Sequence, residues 1–600
     1  MLGFSETARK LKAETSILVD AFRRRARQIR GARELAALVK TLDFKTATEA
    51  AREYFDVGEH FATGIDGSMQ TDELLEMFIF YVNAAAYTCP FTVSSERVEF
   101  KLDQARRDER LSASATVPLW MEDLPEASDS SSIDTDYQLD AASSRIAFAL
   151  MTMAELKMAC EAAGSRRVRI LFLDRPLSGS LPPLARDYRD LLRMKHFSLA
   201  GMETPAGQLS LLDMTLAYYL GPGGNPLPPR ERYLPYAVVR MLLDGEAHTA
   251  SEIGSRLRLG TSGFEKTVKR LRRINAESGG RLLEKGGGRG ENAFKITGYA
   301  RNYWRRVEHA LNWVLEKVFT GEDHPLSLGE EKWLTARDLN AFNTLLIYRL
   351  RSLAFENRVL VIGVAKDVGS TDLSRVVIPF AGSRGVLEAS RVPLMVRSDR
   401  ALLGLLSTSE EIDFPTPWRT LGYDAVFTTL VFRRNETPSL AAARKRAGHE
   451  GFIVRNYFQL RSLSSDARSK SSVFLYDRFQ NDASDSEHRE TVEISEMNRA
   501  CEAEVYFEQG RNRLDDLILL VLSLSDNPHV AEAFGHNQLL FLADKAVKAE
   551  AKQARPMLRG IVELEIGPLA RTDRMFNIAR RFRDIRAEYE VMREAGGGEA

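Results

Sequence analysis

FATGIDGSMQ, residues 61–70, is the stretch on which the reading of this chain turns. An apolar run meets Gly64, Ile65, Asp66, Gly67 and Ser68. A carboxylate inside a buried strand is costly to desolvate unless a partner offsets the loss. Two readings compete. Asp-Gly is a common hairpin signal, which makes Asp66 a solvated turn residue. Alternatively, Asp66 sits on a central strand and holds a metal ion. The surroundings must decide between them.

Moving outward, EMFIFYVNAAAYTC (76–89) and RVEFKLDQARRD (97–108) are rich in aromatic and β-branched residues and predict successive, antiparallel strands. The Ser/Asp-rich stretch 122–140 predicts a loop. Residues 141–164 predict a helix with Ser143 or Ser144 as its cap and Gly164 as its stop. RRVRILFLDRPLSGS (166–180) then predicts a buried strand that ends, like the first, in an aspartate, Asp174. In the order strand–strand–strand–helix–strand, the last strand can lie beside the first. Asp66 and Asp174 then occupy neighbouring positions facing one site. With a third carboxylate from the intervening helix, they form what an RNase H-like metal site requires. A phosphodiester hydrolase uses hard oxygen ligands for Mg²⁺ or Mn²⁺, and two such ions can act together. Carboxylates packed this closely repel one another when no metal is bound.

Composition limits the alternatives. At 600 residues, two to four domains are expected. Lys plus Arg and Asp plus Glu both number 83, so any nucleic-acid surface must be local. Three scattered cysteines, Cys89, Cys160 and Cys501, argue for a reducing compartment and against a zinc site. The first thirty residues have no long apolar core and predict a basic amphipathic helix rather than a secretory signal. No apolar run reaches membrane-spanning length, so no membrane association and a cytoplasmic location are expected.

Such a local basic surface is visible. After the linker GPGGNPLPPR (221–230), residues 231–298 predict three helices followed by a hairpin with a glycine-rich tip, which is the winged helix-turn-helix pattern. Lys266, Lys269, Arg270, Arg272 and Arg273 lie on the third helix, and Arg281, Lys285 and Arg289 on the wing. These eight are candidate DNA-binding residues. GTSGFEKT (260–267) is not a phosphate loop, because Glu265 stands where glycine must precede the lysine. Further strands are expected at 358–370, in YDAVFTTLVFRR (423–434), SSVFLYDRF (471–479) and EAEVYFEQG (502–510), with a helix from about residue 536 and a basic C-terminal helix.

Three segments, TGIDGSMQ (63–70), ILFLDRPLSGS (170–180) and VIGVAKDVGS (361–370), resemble blocks of the NurA nuclease family. In the second, Arg175 replaces the usual glycine after the aspartate. The resemblance implies an RNase H-like mixed sheet flanked by helices and a DNA nuclease using Mn²⁺ or Mg²⁺, with two ions expected. It implies 5′–3′ exonuclease and single-strand endonuclease action, a homodimer, and partnership with a HerA-type hexameric ATPase in DNA end processing or antiphage defence. By position, Asp66 and Asp174 are implied metal ligands. The helix glutamate is Glu155 or Glu161, with Glu155 preferred. Lys366 is a candidate phosphate contact or a solvated strand-end residue. The family's late block pairs a tyrosine with a histidine eight positions on. Here GHNQLLFLADKAV (535–547) puts His536 and Asp544 at those places, so Asp544 becomes a candidate ligand and His536 a candidate acid or a helix-start residue. This departure also supports an alternative, a catalytically weakened DNA-binding or assembly subunit. The expected organisation is a helical region at 1–56, a first nuclease half at 57–220, the inserted module at 231–298, a helical connector at 299–354, a second half at 355–555 and a terminal helix at 556–600.

Overall fold

The computed structural model describes all residues except 1–14, 19, 21–31, 75–76, 121–134, 229, 286–292, 330–331, 367, 393–397, 409–413, 435–437, 444–448, 462–469, 497–498, 528–534 and 573–600. Expectations for the glycine-rich tip with Arg289, and for the C-terminal basic helix beyond residue 572, lie outside the described residues.

Residues 61–70 do not turn. They lie within one strand, Gly58–Leu74, paired antiparallel along its whole length with Met77–Val93. Met77–Val93 pairs in turn with Arg106–Trp120. On its other side, Gly58–Leu74 pairs in parallel with Val168–Leu173, which pairs in parallel with Leu360–Ala365. In chain order, these five strands therefore lie third–second–first–fourth–fifth. Phe474–Phe479 and Ile453–Gln459 extend the sheet antiparallel beyond the fifth. Eleven strands of the described residues belong to this mixed sheet.

Helices cover both faces, and the residue patterns assign them. Thr135–Gly164, Leu177–Met194 and Ala336–Glu356 bury Ala- and Leu-rich sides against one face, in a cluster that includes Ile65, Leu171 and Leu173. Phe44–Phe55, Arg513–Leu524 and Gln538–Thr572 cover the other, around Ala62, Ile170, Phe172 and Ile362. The central strands are apolar on both sides because both sides are buried. No helix among the described residues is long and apolar enough to cross a membrane.

The structure corrects several expectations. The N-terminal region is not all helical: Val39–Thr41 is an edge strand paired with Trp418–Thr420. The expected loop at 122–140 is helical from Thr135, so Ser143 and Ser144 lie inside the helix and do not cap it. The run at 423–434 is broken by a 3₁₀ turn at Ala425–Thr429, where Asp424 accepts the Val426 N–H and stops the strand. Between residues 231 and 298 lie helices Leu234–Leu242, Ala250–Arg256 and Thr261–Glu277 and the hairpin Leu283–Lys285/Ala293–Ile296. A two-residue strand, His248–Thr249, which the sequence did not suggest, completes a three-stranded sheet there. The helix that follows, Tyr303–Phe319, is anchored by the fully buried Arg306–Asp213 pair at 2.5 Å.

Candidate metal centre

Register brings the first two aspartates together. Ile65 pairs with Leu173, and the Asp174 N–H donates to the Ile65 carbonyl at 3.2 Å, so Asp66 and Asp174 lie side by side where the parallel strands end their pairing. Asp544 arrives from the helix Gln538–Thr572, which crosses the sheet beside them. Carboxylate oxygens of Asp66, Asp174 and Asp544 all lie within 4.8 Å of one another.

The glycines flanking Asp66 permit two close approaches. A Cβ on Gly64 would stand 2.7 Å from Leu539 Cβ and 2.8 Å from its carbonyl carbon, so only glycine lets the Asp544 helix come this close. A Cβ on Gly67 would stand 2.5 Å from Glu155 Oε1. Side chains alternate along a strand, so Asp66 shares the Gly64 side while Glu155 reaches the strand from the Gly67 side. The helix bearing Asp544 is fixed on both flanks. Asn537 accepts the Leu540 N–H at 3.0 Å, and Asn83 donates to the Val547 carbonyl at 3.1 Å and to Glu550 at 3.0 Å.

Two ammonium groups reach the cluster. Lys366, just beyond Leu360–Ala365, bonds Asp174 Oδ2 at 2.6 Å, and its own carbonyl accepts from Arg400 at 2.9 Å. Lys548, one turn after Asp544, bonds Asp544 Oδ1 at 2.7 Å. The latter residue was not singled out from the sequence, although its i,i+4 spacing from Asp544 was visible there.

The electrostatics are strained in the way a cation would relieve. Burial pushes the Asp66 carboxyl up to about 9, reinforced by the charges of Asp174 and Glu155 and opposed by the Gly67 N–H and Lys366. Burial also acts upward on Asp544, but hydrogen bonds from Lys548 and Asp66 and the charges of Lys366 and Lys548 hold it below the usual carboxylate range. Without metal, Asp66 therefore keeps a proton and shares it with Asp544. Three crowded oxygen donors with one forced to remain protonated are a fit for a hard divalent ion, whose charge would let all three ionise.

The other candidates are placed differently. Glu155 is buried and not within the aspartate group; its Oε2 accepts from Arg175 Nε. Burial raises its carboxyl while Arg175 opposes the rise. Glu161 is half-exposed and paired with Lys157 at 2.7 Å, away from the cluster. His536 is buried with its ring against Phe474 at 5.8 Å, and burial, helped by Lys366, lowers it to about 3. Of the eight basic residues at 266–289, Lys266 and Arg270 lean on Glu231 and Arg273 on Glu277, while Arg281 stacks on Tyr299. Lys269 and Arg272 are exposed, and the side chain of Lys285 lies outside the described residues.

The NurA domain family model matches residues 62–413. The chain belongs to the NurA family. That is a family of metal-dependent nucleases, and the matched span contains Asp66, Glu155, Asp174 and Lys366 but neither His536 nor Asp544. No curated protein matches the chain. Solved structures similar to it include the NurA nuclease from Sulfolobus solfataricus, at 10% identity over 93% of this chain and 96% of that one, with a TM-score of 0.37. A second NurA is 14% identical over 92% and 97%, with a TM-score of 0.36. A NurA bound to dAMP and manganese is 14% identical over 92% and 96%, with a TM-score of 0.34.

Proposed function

We propose that this NurA-family chain is a DNA nuclease in which Asp66, Asp174 and Asp544 hold Mn²⁺ or Mg²⁺. The observation that carries the reading is the convergence of these three carboxylates, from two adjacent parallel strands and one crossing helix, within 4.8 Å. The third–second–first–fourth–fifth strand order supports an RNase H-like reading of the core. A bound divalent ion supplies an acidified water and neutralises charge building on phosphorus.

The chain's own groups do the rest. Asp66, kept protonated by burial, would release that proton to solvent were an ion bound. Lys366, only one-third exposed and tethered to Asp174, turns its ammonium to a non-bridging phosphate oxygen and orients the diester. Glu155 backs the Asp66 strand through Gly67. His536, neutral and packed on Phe474, holds the start of the Asp544 helix in place rather than donating a proton.

Residues 231–298 form a winged helix inserted between two halves of the nuclease, at 57–220 and 355–555. The exposed cations of the helix Thr261–Glu277, with those of the wing, contact phosphates without reading sequence. Family membership supports a homodimer working with a HerA-type ATPase, with 5′–3′ exonuclease and single-strand endonuclease action in DNA end processing or antiphage defence.

The test is digestion of linear and circular DNA with Mn²⁺, with and without the ATPase. Wild type should cleave, while Asp66→Ala and Asp174→Ala, folded by circular dichroism, should not. Cleavage by both variants at the wild-type level would refute the assignment.

A further inference from the structure

The position after Asp174, where the NurA resemblance expects glycine, carries Arg175, and the structure gives that arginine a partner. Its Nε donates to Glu155 Oε2, and its Nη1 donates to Thr152 Oγ1 at 3.0 Å. The side chains of Arg175 and Glu155 are only 7% and 3% exposed. Thr152 lies one turn before Glu155 on the same helix, and the guanidinium also sits 5.8 Å from the centre of the Phe148 ring. Arg175 is thus clamped to the helix that carries Glu155, and an arginine cannot discharge by losing its proton. Asp66, Asp174 and Asp544 form a group, with oxygens within 4.8 Å of one another, that does not include Glu155, although Glu155 is near enough for its charge to act on Asp66.

We infer that Arg175 is a built-in counter-cation for Glu155, so that the free protein takes one divalent ion, at Asp66, Asp174 and Asp544, while Glu155 is withheld from metal. The inference rests on the metal-site reading above. An ion recruited by Glu155 through its free Oε1 would sit beside the buried guanidinium that holds Oε2, and repulsion between two cations in so dry a setting is strongly unfavourable. Without Arg175, Glu155 would either keep a proton or draw its positive charge from metal. Arg175 is a positioning residue here: it acts on the ion only through Glu155.

Equilibrium dialysis of the full chain against Mn²⁺, with bound ion read by electron paramagnetic resonance, tests this. Wild type should bind one ion with an uncoupled Mn²⁺ signal, and Arg175→Lys, which keeps the charge, should do the same. Arg175→Gly should bind two, with the broadened spectrum of neighbouring spins, and should gain more melting temperature from Mn²⁺ than wild type gains. If Arg175→Gly does not fold, Arg175→Gln keeps a hydrogen-bonding group without the charge and carries the same expectation. Glu155→Gln should keep wild-type Mn²⁺ affinity within about threefold, whereas loss of a true ligand should cost about tenfold or more. Two ions in wild type, or one in a cooperatively melting Arg175→Gly or Arg175→Gln chain, would overturn the inference while leaving the metal site standing. No ion in wild type would overturn both.

Discussion

Asp66 concentrates the physics of this protein. Its carboxyl is pushed up to about 9 by burial, then by Asp174 and Glu155. An acid whose pKa rises on folding stabilises the native state fully below the unfolded value, and that contribution is lost as pH rises through the folded value. In EDTA, the melting temperature should therefore fall between about pH 4 and pH 9, and Asp66→Asn should flatten that fall. Metal must displace the same proton, so Mn²⁺ affinity should rise with pH over this window, by up to about tenfold per unit. Calorimetric titration in buffers of different ionisation heat would count the proton released. Lys366→Ala should lower kcat by on the order of 10²–10³ with folding intact, as expected for loss of one electrostatic contact to the reacting phosphate. Asp66 and Asp174 were legible in the sequence because each ends an apolar run and the element order makes their strands neighbours. Arg175 was legible only as a departure, since its partner comes from another element. Glu155 and Glu161 could not be separated by spacing, and burial now separates them.

At the scale of elements, the strand Gly58–Leu74 and the helix Gln538–Thr572 meet through Gly64. The flanking glycines suggested a turn when read locally, yet both serve contacts with distant segments, Leu539 and Glu155. No local pattern could reveal that. Gly64→Ala places a methyl 2.7 Å from Leu539 Cβ and must push the helix away. Overpacking of this kind costs about 1–3 kcal/mol. The variant should melt several degrees lower and also bind Mn²⁺ more weakly, because Asp544 rides on the displaced helix. Ala543→Gly, also on that helix, should loosen it by about 1 kcal/mol through propensity while keeping the close approach. A Gly64→Ala chain with unchanged Mn²⁺ affinity would separate Asp544 from the site. That the strand ending before Asp174 lies beside Gly58–Leu74 was foreseen from the order of strand and helix signals, whereas the places of Leu360–Ala365 and the strands beyond it were not. The early start of the helix at Thr135 was not, because Ser and Asp favour caps and turns locally, and its packing on Ala336–Glu356 is a long-range effect.

For the whole molecule, equal numbers of acidic and basic residues leave no overall field to attract DNA, so binding must come from where cations are exposed together. The helix Thr261–Glu277 is such a place. Lys269→Glu with Arg273→Glu should weaken DNA binding in EDTA and flatten the slope of log affinity against log salt, in proportion to the number of phosphates no longer neutralised. Fluorescence anisotropy across a salt series measures both. Unchanged affinity would make this surface a site of protein contact. Several strands and helices, and the three helices and hairpin between residues 231 and 298, were readable from periodicity and punctuation, while the mixed sheet was expected from the family resemblance. The wide sheet extending to Val39–Thr41 was not, because a three-residue edge strand carries no pattern of its own.

The central claim is that three aspartates from distant parts of the chain hold one cation between them. An anomalous-difference map from crystals grown with Mn²⁺ measures that directly. The account predicts a peak about 2.0–2.2 Å from an oxygen of each of Asp66, Asp174 and Asp544. A peak elsewhere, or one that any of the three carboxylates fails to reach, would contradict it.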